Sequence, residues 1–202
     1  MRMTHALPLA ATLVLASAAP AAAQVQVTAL VGVTGSTALV TDQIFQEIEL
    51  KPALAPTFLL SVSLPVATRL RASLDLGYSS SAADLTESGQ SATELGTIGA
   101  LTAAAALAGP LFSRLSWRLS LGVLQYFPSD ETGVFRDGVP AAALFGAGLD
   151  WRQPVSERWA AVLGVRYYLH LFTTPALETA GFSGSQQVSR LGIAIGAAWE
   201  LP

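Results

Sequence analysis

The chain has 202 residues, of which 51% are hydrophobic and 12% are charged, with a formal net charge of −3, two histidines and no cysteine. A soluble domain carries about 25% charged residues, and an acidic balance offers nucleic acid nothing to bind. The missing thiols exclude disulfide staples and cysteine-ligated metal.

Residues 1–23 read as an export signal. Arg2 supplies a positive start, Ala6 to Ala16 an apolar stretch, and Ala21-Ala22-Ala23 the small residues that precede cleavage before Gln24. The stretch is too short, and at its end too rich in alanine and proline, for a spanning helix of about 20 residues. Residues 24–202 are then expected to form one domain.

No later apolar run reaches the roughly 18 residues of a membrane-crossing helix. Strands need only every second residue to be apolar, and the rest of the chain reads as eight of them. The first spans about Val25–Thr34, with Val25, Val27, Ala29, Val31 and Val33 on one face. A long polar stretch precedes the second, about Thr57–Leu64, and Pro65–Thr68 is a short turn. The third, about Arg69–Ser79, alternates Leu70, Ala72, Leu74, Leu76 and Tyr78 with Arg71, Ser73, Asp75 and Gly77. Ser80–Thr93 reads as loop, and the fourth strand, about Glu94–Ala108, carries a run of alanine that also suits a helix.

After the turn Gly109–Ser113 comes the cleanest alternation, about Arg114–Phe127, with Leu115, Trp117, Leu119, Leu121 and Val123 on one face. Pro128–Gly138 is loop. The sixth strand is about Val139–Trp151, Arg152–Arg158 is a turn, and the seventh is about Trp159–His170. Leu171–Gln187 is the last long loop, and Val188–Glu200 is the eighth strand. Period-two alternation in segments of this length indicates strands.

The other face decides which kind of barrel. Gly32, Gly77, Gly122, Gly148, Gly164 and Gly196 fall on it, with alanine, serine and a few charges. That suits the crowded interior of a small barrel whose large apolar residues point outward to lipid. The expected belt is Val31, Leu60, Leu74, Leu119, Leu121, Phe145, Leu163, Val165, Ile193 and Ile195. Trp117, Trp151, Trp159 and Trp199 lie beside the short connections, and Tyr78, Tyr126, Tyr167 and Tyr168 beside the long ones. Each set is expected in an interfacial aromatic belt. Acidic residues collect in the long connections, while Arg69, Arg114, Arg152 and Arg158 mark the short turns.

The mature region from Val25 onward resembles the small outer-membrane β-barrel proteins, of the OmpA transmembrane-domain, OmpX and OmpW kind. The most family-like piece is Gly196-Ala197-Ala198-Trp199-Glu200-Leu201, which follows their C-terminal assembly signal at Gly196, Trp199 and Leu201. Ala194 stands where that signal usually has a polar residue, and Pro202 where it ends in Phe. The resemblance implies an all-β, eight-stranded, antiparallel up-and-down transmembrane barrel in an outer membrane. Its partners would be outer-membrane lipid and the barrel-assembly machinery.

Chemistry has few candidates. His170 sits at the loop end of the seventh strand, and Leu171, Phe172, Thr173 and Thr174 after it do not give the His-x-Ser arrangement of barrel deacylases. A lipid hydrolase is therefore a distant alternative, no cofactor or metal is expected, and the chain is read as a non-enzyme. A soluble exported barrel with a hydrophobic ligand in its core is the main rival.

By parity Arg71, Asp75, Arg118, Asp150, Arg166 and Arg190 point into the lumen, with Glu94 near its outer end. Buried charge needs partners, so these residues are expected either to plug the barrel as salt bridges or to gate a narrow pore. Arg118 is expected to pair with Asp150, and Arg166 and Arg190 with Asp75 or Glu94.

Overall fold

The computed structural model describes residues 24–42, 48–87, 93–130, 135–136, 138–179 and 185–201; the expected export signal lies outside them. The strands are β1 (Gln26–Ser36), β2 (Val40–Asp42), β3 (Ile48–Pro52), β4 (Ala55–Ala67), β5 (Leu70–Glu87), β6 (Thr93–Pro110), β7 (Leu115–Pro128), β8 (Ala142–Pro154), β9 (Trp159–Phe172) and β10 (Gln186–Glu200). One short helix, α1 (Pro175–Thr179), precedes β10.

Eight strands close a ring. The order runs β1, β4, β5, β6, β7, β8, β9, β10 and back to β1, every pair antiparallel. Closure leaves the ring without an unpaired edge, the condition for strands in hydrocarbon. No helix among the described residues is long and apolar enough to cross a membrane.

The outward face is the apolar one. Leu74 is 70% exposed, Phe145 and Ile195 are 61%, and Val31, Leu119, Leu121, Leu163, Val165 and Ile193 are also exposed. Leu60 is half-buried. The inward neighbours Leu30, Ala104, Ala106, Ala160, Val162, Ala194 and Ala198 are buried. A water-soluble barrel would reverse this arrangement.

Small inward residues let adjacent strands crowd. A Cβ on Gly122 would run into the carbonyl of Ala103, and one on Gly196 into that of Ala29. Gly196 of the expected assembly signal therefore also has a steric reason to be glycine.

The turns at one end are tight. Leu111 N–H donates to Leu115 O at 2.8 Å, and Val155 N–H to Trp159 O at 2.8 Å. Ser156 Oγ takes the N–H of Trp159 at 3.2 Å. The opposite end departs from the sequence reading. β2 and β3 form a hairpin in the expected first loop, and β3 pairs along β5 from Ile48↔Glu87 to Pro52↔Ala83. Ser80–Glu87, read as loop, continues β5, and the alanine-rich β6 is an 18-residue strand. Pairing to β3 and β6 satisfies the backbone there without any alternation of side chains.

Candidate functional site

The lumen holds the charged side chains in tiers. At the short-turn end Arg152 donates from Nη1 to Gln26 Oε1 at 2.6 Å and pairs through Nη2 with Glu200 Oε1 at 2.9 Å. Arg71 donates from Nε to Ser63 Oγ at 3.2 Å and from Nη2 to Gln24 O at 3.0 Å.

The second tier is a neutral cluster of two arginines and two aspartates. Arg118 Nη1 lies 2.6 Å from Asp75 Oδ2 and 2.7 Å from Ser73 Oγ, and its Nε lies 3.3 Å from Asp150 Oδ2. Arg166 Nη1 reaches Asp150 Oδ1 at 2.7 Å, an ion pair too bent to count as a hydrogen bond. It also donates to the carbonyls of Val165 at 3.2 Å and Leu149 at 3.3 Å. Ser61 Oγ donates to Asp75 Oδ1 at 2.6 Å.

Register builds this cluster. Gly148 on β8 faces Arg118 on β7 and Arg166 on β9, while Asp150 faces Ser116 and Gly164. A side chain at 148 would collide with Val165 O and press on Arg166 Cδ. Glycine there leaves both guanidiniums room to converge on Asp150.

The third tier is sparser. Arg190 donates from Nη2 to Ser79 Oγ at 2.6 Å. Tyr126 Oη and His170 Nε2 are 3.0 Å apart, and the Tyr126 ring meets Phe172 edge-on at 5.7 Å. Above these, Leu39, Val40, Leu50, Ala83, Leu124, Phe135, Leu144, Phe172, Leu177 and Val188 form one buried apolar cluster. It is assembled from β2, β3, the outer ends of the barrel strands, a long connection and α1. Thr174 Oγ accepts the N–H of Leu177 at 3.2 Å, an N-cap that turns α1 inward.

Among the described residues, cavities lie along the lumen at three levels. One of about 90 Å³ is bordered by Arg118, Asp150, Arg166 and Tyr168. One of about 20 Å³ lies between Tyr168 and Arg190, and another of about 20 Å³ between Arg190 and Tyr126.

Several expected placements change. Arg166 goes to Asp150 and Arg190 to Ser79, instead of Asp75. The Glu94 side chain lies outside the described residues. Tyr126 is 5% exposed and Tyr168 packs against the apolar cluster, so neither belongs to the interfacial belt. Even-numbered positions on β7 and β9 face the lumen, and proximity to a long loop does not override that parity. Tyr78 and Tyr167 do face outward. Trp117, Trp151, Trp159 and Trp199 all stand at the short-turn end, with Trp159 and Trp199 stacked at 5.6 Å.

Sequence reasoning missed the serines that complete the tiers and the whole apolar cap. Ser61, Ser73 and Ser79 were within reach, because they share inward parity with the arginines. The cap residues stand singly in polar stretches and give no periodic signal.

Solved structures agree with this architecture. Over 89% of this chain and 96% of the other, the fold matches outer membrane protein OprG from Pseudomonas aeruginosa, with TM-score 0.54 and 14% identity. Neisserial surface protein A matches over 88% and 97%, with TM-score 0.58 and 11% identity. AlkL, an outer membrane protein solved in lipid bilayers, matches over 98% and 97%, with TM-score 0.56 and 12% identity. The fold is that of a small outer-membrane β-barrel. No protein-family model and no curated protein sequence matches the chain.

Proposed function

We propose that the protein resides in an outer membrane as a barrel with a closed lumen, serving a structural or surface-interaction role without catalysis. The observation that carries this is the double filling of the interior. A neutral Arg–Asp cluster occupies the half near the short turns, and an apolar cluster closes the half near the long connections. Ions crossing such an interior would meet paired charges first and then an apolar layer, so they would be held back twice. The exposed apolar belt supports residence in lipid, as do the similar folds of proteins described as outer-membrane proteins.

Assembly through the barrel-assembly machinery fits the same reading. Gly196 and Trp199 lie in the last part of β10, the strand that closes the ring on β1, and Leu201 follows it directly, donating its N–H to Val25 O at 2.8 Å.

Planar-bilayer recording of the purified protein tests the closed lumen. The expected trace is flat, with no stepwise conductance. Regular steps that persist across preparations would replace this reading with that of a pore.

A further inference from the structure

Among the described residues Arg190 is the one lumen arginine beyond the paired tiers, and its surroundings are unusual. It is 8% exposed. The described ion pairs engage Arg118, Arg152 and Arg166, and none engages Arg190. Its one hydrogen bond among the described residues goes to a neutral hydroxyl, Ser79 Oγ. A guanidinium has five N–H donors, and burying its charge without a counter-charge is strongly unfavourable.

The described side chains around it carry hydroxyls, which can donate as well as accept, and no anionic group. Ser36 faces Arg190 directly across the β1–β10 pair. Its Oγ is buried and has no hydrogen-bond partner among the described residues. Thr34, Ser79 and Ser81 supply further hydroxyls around the cavity that Arg190 and Ser36 share, whereas the Tyr126 hydroxyl that borders it is engaged with His170. The pocket thus presents positive charge and O–H donors, with no carboxylate among its described lining residues.

From this we propose that Arg190 and Ser36 form a binding site for a small inorganic monovalent anion of about the size of chloride. The two cavities flanking Arg190 measure about 20 Å³ each. A single water-sized species needs roughly 10–15 Å³ on that scale. That space is close to the size of a single small species, and among anions a halide comes nearest to it. The anion neutralises the buried guanidinium, accepts a hydrogen bond from the Ser36 hydroxyl, and locks β1 to β10 near the outer end of the barrel. The site does not depend on whether the lumen conducts.

The test uses the full-length folded barrel in detergent micelles at constant ionic strength, with chloride, bromide or the bulky anion gluconate. The expected result is a thermal midpoint that rises and saturates with chloride and bromide but stays flat with gluconate. Ser36→Ala removes one donor and should raise the half-saturating chloride concentration about fivefold. Arg190→Met should abolish the response. Because Arg190→Met can impair folding, bromide-soaked crystals of the unaltered protein provide an independent reading, with an anomalous peak expected between Arg190 and Ser36. Equal responses to chloride and gluconate overturn the proposal. So does the absence of a peak at that position, which would mean that water or a loop carboxylate sits on Arg190 instead.

Discussion

Arg118 on β7 grips Asp75 on β5 at 2.6 Å across the strand that separates them. The contact is possible because the inward residues of β6 at that depth are Ala104, Ala106 and Ala108, partnered to Asp75, Ser73 and Arg71 on one side and to Gly122, Ser120 and Arg118 on the other. The alanine run that makes β6 look helical in sequence is the floor on which the guanidinium lies. Replacing Asp75 by Ala would leave two buried arginines sharing Asp150. Unfolding by urea in lipid vesicles should then show a loss of about 3 kcal/mol or more. Ala106→Leu, which raises the floor, should lose roughly 1–3 kcal/mol. An unchanged midpoint for both would mean that the cluster contributes nothing to stability.

A charge on the outward belt should be far more damaging than its solvent exposure suggests. Leu121 is 58% exposed in the isolated chain, so in water an arginine there would be harmless. In lipid, Leu121→Arg should lower stability by roughly 2–4 kcal/mol. Folding yield into vesicles, followed by the electrophoretic shift between folded and unfolded forms, checks this. Equal yields would argue against a lipid-facing Leu121.

The proposed double closure of the lumen makes a combined variant informative. Asp75→Ala alone disturbs the paired tier but leaves the apolar cap. Leu39→Ala with Leu50→Ala opens the cap but leaves the pairs. Each should conduct little, and the triple variant should show a measurable conductance beyond the sum of the two. Simple additivity would show that one closure dominates.

The two classes of tyrosine separate experimentally. Tyr126 shares its hydroxyl with His170 at 3.0 Å inside the lumen, so Tyr126→Phe should lower stability by about 1 kcal/mol. Tyr78 is half exposed on the outer wall, and Tyr78→Phe should leave stability within about 0.5 kcal/mol. Interfacial brominated lipid should quench tyrosine emission from Tyr78 and Tyr167 in Trp-depleted protein and spare Tyr126.

The barrel itself was legible because lipid imposes a strict alternation wherever a strand crosses it. Leu115 to Val123 shows that pattern residue by residue, and β7 lies where it predicts. Past the lipid the constraint disappears. Ser80–Glu87, β2, β3 and α1 pair or pack without a periodic apolar face, so their sequence reads as loop. Parity showed which charges point inward but not which partners they choose. That choice depends on Gly148 leaving room for Arg166, a feature of three strands in register. Closeness to long loops points Tyr126 and Tyr168 to the outer wall, whereas parity points them inward and is the better guide.

The unequal heights of the wall have a practical consequence. β5 and β6 run 18 residues each, whereas a tilted strand needs about 9–11 to cross hydrocarbon. At ~3.3 Å per residue the surplus amounts to roughly 25 Å of strand beyond the length needed for one crossing. A peptide tag grafted between Glu87 and Thr93 would ride on that surplus length, away from the shorter flank formed by β7 and β8. The long β5–β6 ribbon is thus a mast on which a foreign epitope can be displayed.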